Sequence, residues 1–110
     1  MYSNTGNVFG MGGKMENIKE LLPIGSVVAV KGGLKKVMII GLLQTIHSEE
    51  EEVRTFDYIG VIYPEGFLNL ETMILFDHDL ITDIVFKGYE NLEREEMIQA
   101  MCDNLPENIG

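Results

Sequence analysis

Apolar residues change their spacing along this chain. Between Ile24 and Tyr89 they fall in short runs rich in Val, Ile, Phe and Tyr, broken by glycine, proline or clustered charge. Beyond Asn91 they recur at every third or fourth position. The first spacing belongs to strands and the second to an amphipathic helix. Val27 to Lys31, Val37 to Ile46, Arg54 to Tyr63, Thr72 to Phe76 and Ile81 to Tyr89 are the predicted strands. In the third, Phe56, Tyr58, Gly60 and Ile62 alternate with Thr55, Asp57, Ile59 and Val61, and Gly60 is read as a bulge. His47 to Glu52, HSEEEE, suits an exposed hairpin tip, and Pro64-Glu65-Gly66 breaks the third strand.

Five short strands with meander-like connections predict a mainly-β domain, a small five-stranded half-open or SH3-like barrel. Met97, Ile98, Met101, Cys102 and Leu105 form a stripe at helical spacing, with Asn91 as N-cap and Pro106 as the stop. An amphipathic helix is therefore expected at about 91–105, closing one end of the barrel and making the chain α+β by content. Residues 16–22, ENIKELL, are read as a short helical turn ended by Pro23. Residues 15–110 make the single expected domain. Residues 1–14 are rich in Gly, Asn and Ser and are expected to be a mobile leader. Codons for Gly12-Gly13 can contain GGAGG, a ribosome-binding sequence, so Met15 is a candidate natural start and the leader a candidate non-native segment.

The stretch VKGGLKKV between the first two strands raises the question of a phosphate-binding loop. A P-loop needs G-x-x-x-x-G-K-[ST] between a strand and a helix, so that backbone N–H groups, a lysine and a hydroxyl converge on phosphate. Here Leu34 follows Gly33, no Ser or Thr follows the lysines, and a strand comes next. The segment is a hairpin. A four-residue loop, Gly32 to Lys35, would pair Val30 with Val37 and Val28 with Ile39 and keep one face wholly apolar. It would also place Lys31 opposite Lys36. A two-residue Gly32-Gly33 turn would set Val28 against Val37 but Val30 against Lys35, and the four-residue loop is the expected one.

Composition then narrows the partners. A chain of 110 residues that is 45% hydrophobic can bury roughly 65% of its unfolded surface, enough for a core without metal or disulfide staples. Cys102 is the single cysteine, so no internal disulfide forms. With 8 basic residues against 18 acidic ones and a net charge of −10, nucleic-acid binding and attachment to anionic membranes are disfavoured. No run approaches the ~20 apolar residues that span a bilayer, and the N-terminus lacks the pattern of a secretory signal. Direct membrane insertion is not expected, and a cytoplasmic location is.

Candidate chemistry is sparse. Asp77-His78-Asp79 offers three possible metal ligands, and His47 with Glu49 to Glu52 offers more. Adjacent side chains diverge on a strand and the two histidines lie in unrelated loops, so turn chemistry is expected, with Asp77 or Asp79 bonding nearby backbone. Cys102, within its helical stripe, reads as core rather than as a nucleophile. There is no Ser-His-Asp spacing, C-x-x-C or H-E-x-x-H. No catalytic residue, metal site or cofactor is expected.

"LLPIGSVVAVKGGLKKVMIIG", "FDYIGVIYPEG" and "LFDHDLITDIVFKGYENLEREE" resemble, in order, the blocks of a family of small Firmicutes proteins catalogued as domain of unknown function 4176. The resemblance runs from about Leu21 to about Met97. It implies a setting beside type VII secretion loci, with LXG toxins and small helical WXG-like partners, and it assigns no residue a role. On that basis the expected function is a non-enzymatic adaptor or chaperone acting by protein–protein binding on a secreted toxin or a secretion component. The alternatives are a small-ligand or metal binder or an enzyme using the acidic loops, and an immunity protein. Tyr89-Glu90-Asn91-Leu92-Glu93 fits the Y-x-x-x-[DE] pattern of type VII substrates, yet it follows a strand. Tyr89 is read as a strand-end residue covering the barrel rim, and the protein is expected to stay in the cell.

One surface stands out. Tyr58, Tyr63, Pro64, Glu65, Gly66 and Phe67 gather aromatic area, a rigid turn and an acid around one strand end. Aromatic residues are enriched in interface hot spots. Tyr63 to Phe67 are the expected partner-binding residues, with Tyr63 and Glu65 facing outward beside an edge strand; the competing reading buries Tyr58 and Phe67 and leaves only a turn. The loop reading makes a first prediction: titration of the chain with ATP or GTP by calorimetry shows no saturable binding at micromolar concentrations.

Overall fold

A computed structural model of the chain describes residues 18–50 and 52–104. The strands are β1 Val27–Val30, β2 Lys36–His47, β3 Val53–Tyr63, β4 Ile74–Phe76 and β5 Ile81–Phe86, and the C-terminal helix is Leu92–Asp103. All strand pairs are antiparallel, in the order β4-β3-β2-β1-β5. The chain is thus mainly β with a C-terminal helix, as its periodicity predicts. The sheet is an open meander whose last strand returns beside the first, with β4 and β5 as edges. Two compact units divide the chain: residues 22–89 carry the sheet, and residues up to 21 together with those from 90 carry the helix. The leader, the Met15 start, Leu105 and Pro106 lie outside the described residues.

The β1–β2 hairpin does not take the expected register. Val28 stands opposite Val37 and Val27 opposite Met38. Beyond them Ile39 N–H donates to the Ser26 carbonyl at 2.9 Å and Gly25 N–H to that of Ile39 at 2.8 Å. Both registers expose the same faces, because they differ by two residues and side chains alternate with period two. Hydrophobic pattern therefore could not separate them. The second partner of β1 does. Val30 pairs with Ile81 of β5, and Lys31 N–H donates to Leu80 C=O at 2.8 Å. The end of β1 thus belongs to β5, and Lys35 never enters the ladder to meet Val30. Gly33 N–H closes the turn on Val30 C=O at 3.0 Å, with Gly32 in the left-handed region at φ 79°.

The bulge falls on the strand facing Gly60. Ile39 pairs with Gly60 and Gly41 with Ile59, which leaves Ile40 as the extra residue. Gly60 answers a different need: a Cβ there would lie 2.5 Å from Val37 Cγ1 and 2.7 Å from Met38 O. Three other expectations shift. Residues 70–72 form a 3-10 turn capped by the Asn69 side chain, so β4 starts only at Ile74. β5 stops at Phe86, short of Tyr89, while the 3-10 turn at His78–Leu80 that precedes it agrees with the turn expected there. Tyr89 is 78% exposed and covers no rim.

Within the sheet unit, Leu22, Pro23, Val28, Val37, Ile39, Tyr58, Val61 and Phe76 are buried. The Tyr58 and Phe76 rings lie 5.3 Å apart in a tilted pair. Leu22 N–H donates to the Tyr58 hydroxyl at 3.0 Å, and that hydroxyl is 2.6 Å from His78 Nδ1. In the other unit, residues 18–20 are helical, and Ile18, Leu21, Ile98 and Cys102 are buried. Asn91 Oδ1 caps the helix by accepting Arg94 N–H at 3.0 Å, while the Arg94 guanidinium donates to Leu21 C=O. Cys102 is buried and in no disulfide, as its place in the stripe predicts. Met97 departs from that stripe and is 41% exposed. It sits ~100° around the helix from Ile98, and a narrow buried stripe holds only one of two successive residues.

Two substitutions test this core. Tyr58→Phe leaves the buried Leu22 N–H without its acceptor, and urea denaturation is expected to show a loss of about 1–3 kcal/mol. Gly60→Ala drives a methyl into Val37 and the Met38 carbonyl, and the same measurement is expected to show at least ~1–3 kcal/mol lost through overpacking.

Candidate partner-binding surface

β3 ends at Tyr63, which pairs with Lys36 at the start of β2. A cis peptide leads into Pro64, and Gly66 takes φ 78°, a value glycine accepts without strain. Gly66 N–H reaches back to Ile62 C=O at 2.8 Å and holds the turn against its own strand. Lys35 Nζ, in the β1–β2 loop, donates to Glu65 Oε2 at 2.8 Å, so the two loops at this end of the sheet are joined. This hydrogen bond holds the Glu65 carboxyl below its ordinary pKa, helped by a backbone hydrogen bond. Asn69 Oδ1 then accepts Thr72 N–H, and Thr72 Oγ1 donates to Asn69 C=O at 2.9 Å. The segment after the turn is therefore a hydrogen-bonded structure.

Its apolar side chains are nevertheless in water. Tyr63 is 47% exposed, Phe67 59% and Leu70 78%, and Leu34 on the neighbouring loop is fully exposed. Leu68 is exposed too. Consecutive large apolar residues on an ordered backbone, facing solvent, mark an interaction surface more often than a scattered one does. Of the expected site residues, Tyr63, Pro64, Glu65, Gly66 and Phe67 are thus placed together at one end of the sheet. Tyr58 is not among them, being fully buried where it pairs with Phe76 of β4.

Two features of the expected site gain detail. β3 lies between β2 and β4 in the sheet, but the β4 ladder ends at Gly60, so Val61 to Tyr63 pair with β2 alone. Tyr63 and Glu65 are both exposed, and Glu65 is the ion-pair partner of Lys35. Leu34, Leu68 and Leu70 escaped the sequence reading. The signal was there in FLNLET, where three large apolar residues surround an asparagine that caps a turn.

The two histidine segments do not meet. His47 ends β2 at the hairpin tip, where Ser48 Oγ accepts the N–H groups of Glu50 and Glu52. Asp77 Oδ1 accepts Asp57 N–H at 3.0 Å, its Oδ2 pairs with Arg54 at 3.1 Å, and Asp57 Oδ2 accepts His78 N–H at 2.9 Å. Asp77 thus bonds backbone, as the sequence reading expects. Among the described residues no three His, Cys, Asp or Glu side chains are grouped to hold a metal ion, and no helix is long and apolar enough to cross a membrane.

The sheet unit is an open five-stranded antiparallel sheet of order β4-β3-β2-β1-β5, and the candidate site on it is a surface. The chain belongs to the family described as Domain of unknown function (DUF4176), whose model matches residues 21–97. No curated protein and no solved structure matches it.

The Lys35–Glu65 pair is solvent-exposed and should matter little to stability. Glu65→Gln is expected to move the melting temperature by less than about 2 °C. Because the folded carboxyl titrates below its ordinary value, its small contribution is present at neutral pH and is lost as pH falls below about 4.5. Melting curves of the wild type and Glu65→Gln should therefore converge at acid pH.

Proposed function

We propose that this protein is a non-enzymatic adaptor or chaperone that works inside the cell by binding another protein. The observation that supports it is the exposure of Leu34, Tyr63, Phe67, Leu68 and Leu70 on a hydrogen-bonded backbone. Covering large apolar side chains removes them from water, and a backbone already in place loses little entropy on docking. The net charge of −10 keeps such a protein soluble despite the patch. The family resemblance supports a secreted LXG toxin, or a component of its type VII secretion machinery, as the partner.

The test is affinity capture from the native host with the wild type and a Phe67→Ser, Leu70→Ser variant. A toxin or secretion component encoded in the same locus should be retained by the wild type and lost by the variant. Both positions are exposed, so the melting temperature should stay within about 3 °C of wild type. Equal retention by both proteins moves the docking site elsewhere, and capture of no such partner rejects the adaptor reading.

A further inference from the structure

The apolar loop end differs in charge from the rest of the molecule. The segment KGGLKK, residues 31–36, holds three of the eight basic residues and no acid, in a chain of net charge −10. All six of its residues are exposed. Lys36 stands directly opposite Tyr63 in the β2–β3 ladder, so their side chains are neighbours on one face. Gly33 N–H closes the turn before it on Val30 C=O, which keeps Lys31 in one tight loop with Leu34. Lys35 is already matched by Glu65. Among the described residues neither Lys31 nor Lys36 forms an ion pair. Glu71 is the one other acid of the stretch 58–72, so the loop end keeps an excess of positive charge.

We propose that the segment docking on this surface is itself acidic: large apolar side chains cover Leu34, Tyr63, Phe67 and Leu70, and flanking carboxylates meet Lys31 and Lys36. The inference deepens the adaptor reading and rests on its surface. Apolar contact supplies the affinity, while charge at the rim selects the partner and steers its approach.

Other occupants fit less well. A basic segment is drawn to the acids elsewhere, at the HSEEEE tip of the β2–β3 ribbon and the LEREE start of the helix. An anionic bilayer is extended and meets the strongly negative charge of the whole protein. A peptide segment meets only the charges within about a Debye length, ~8 Å at physiological salt, and here those are lysines. A second copy that placed its acidic tip here would leave both ends of the pair open and grow into a polymer.

Selection of random peptides on phage against the folded full chain tests it, followed by calorimetry with the synthetic forms of the enriched peptides. These should carry several acids beside large apolar residues, and should bind the Phe67→Ser, Leu70→Ser variant roughly tenfold or more weakly. Lys31→Glu, Lys36→Glu should weaken binding roughly tenfold, because attraction becomes repulsion at two exposed positions. Exchanging the acids of a peptide for lysine should abolish its binding to the wild type and restore binding to the charge-reversed variant. Melting curves verify that both variants fold. Enrichment of neutral or basic peptides, enrichment of none, or binding indifferent to the lysine reversal overturns the proposal. So does a free chain that polymerises, or that sediments with phosphatidylserine vesicles, and loses that behaviour on lysine reversal. The adaptor reading fails separately, when the host yields no partner from the same locus.

Discussion

The hydrogen bond between Leu22 N–H and the buried Tyr58 hydroxyl is the contact around which the sheet is organised. Successive residues on a strand point to opposite faces, so one of a neighbouring Asp and Tyr normally meets water. On β3 both are buried, Asp57 at 5% exposure and Tyr58 at none. The chain leaving β4 makes this tolerable by supplying partners to each: Asp57 accepts His78 N–H, and the Tyr58 hydroxyl meets the His78 ring. The Tyr58 hydroxyl thus meets both Leu22 N–H, from which it accepts, and the His78 ring at Nδ1. Buried polar groups are costly when unpaired and specify one arrangement when all are paired. This network ties the segment before β1, the middle of β3 and the turn after β4 into one arrangement.

Steric demand at Gly60 works in the same direction. Val37 and the Met38 backbone press on β3 where a side chain would otherwise stand, and the extra residue Ile40 lies just beyond. Leu43, two residues past Gly41, takes φ 53°, a conformation that costs a bulky side chain roughly 1–2 kcal/mol. The Gln44 side chain bridges this kink by donating to Leu42 C=O at 3.0 Å. The long β2–β3 ribbon is thus bent by a bulge and a kink, and it ends in a charged tip stitched by Ser48.

Against this well-satisfied interior, the apolar surface is uneven. Leu34, Phe67 and Leu70 at the loop end, and Ile84, Val85 and Phe86 on β5, are carried on ordered backbone yet remain in water. Fully burying one such side chain is worth ~1.5–3 kcal/mol. Leaving several unburied in one small domain forgoes that contribution to its own stability.

Strand existence and order along the chain were legible in the sequence, because β-branched runs and glycine or proline breaks report local backbone preference. The Asn91 cap, the buried Cys102 and the turn chemistry of Asp77 were legible for the same reason: each depends on near neighbours or on period. The turn at Tyr63 to Phe67 could be named as a surface from its residue types alone. What no local pattern could carry was the identity of the second partner. Only the return of β5 to β1 decided the Val28–Val37 register, since a slip of two residues leaves every side chain on its own face. Only packing decided that Phe67 is exposed while Tyr58 is buried, and only the approach of Lys35 turned Glu65 from a free acid into half of an ion pair. Periodicity fixes which way a side chain points, but burial and charge pairing are set by chain segments far away in sequence, and those exist only once the sheet has closed its ladders.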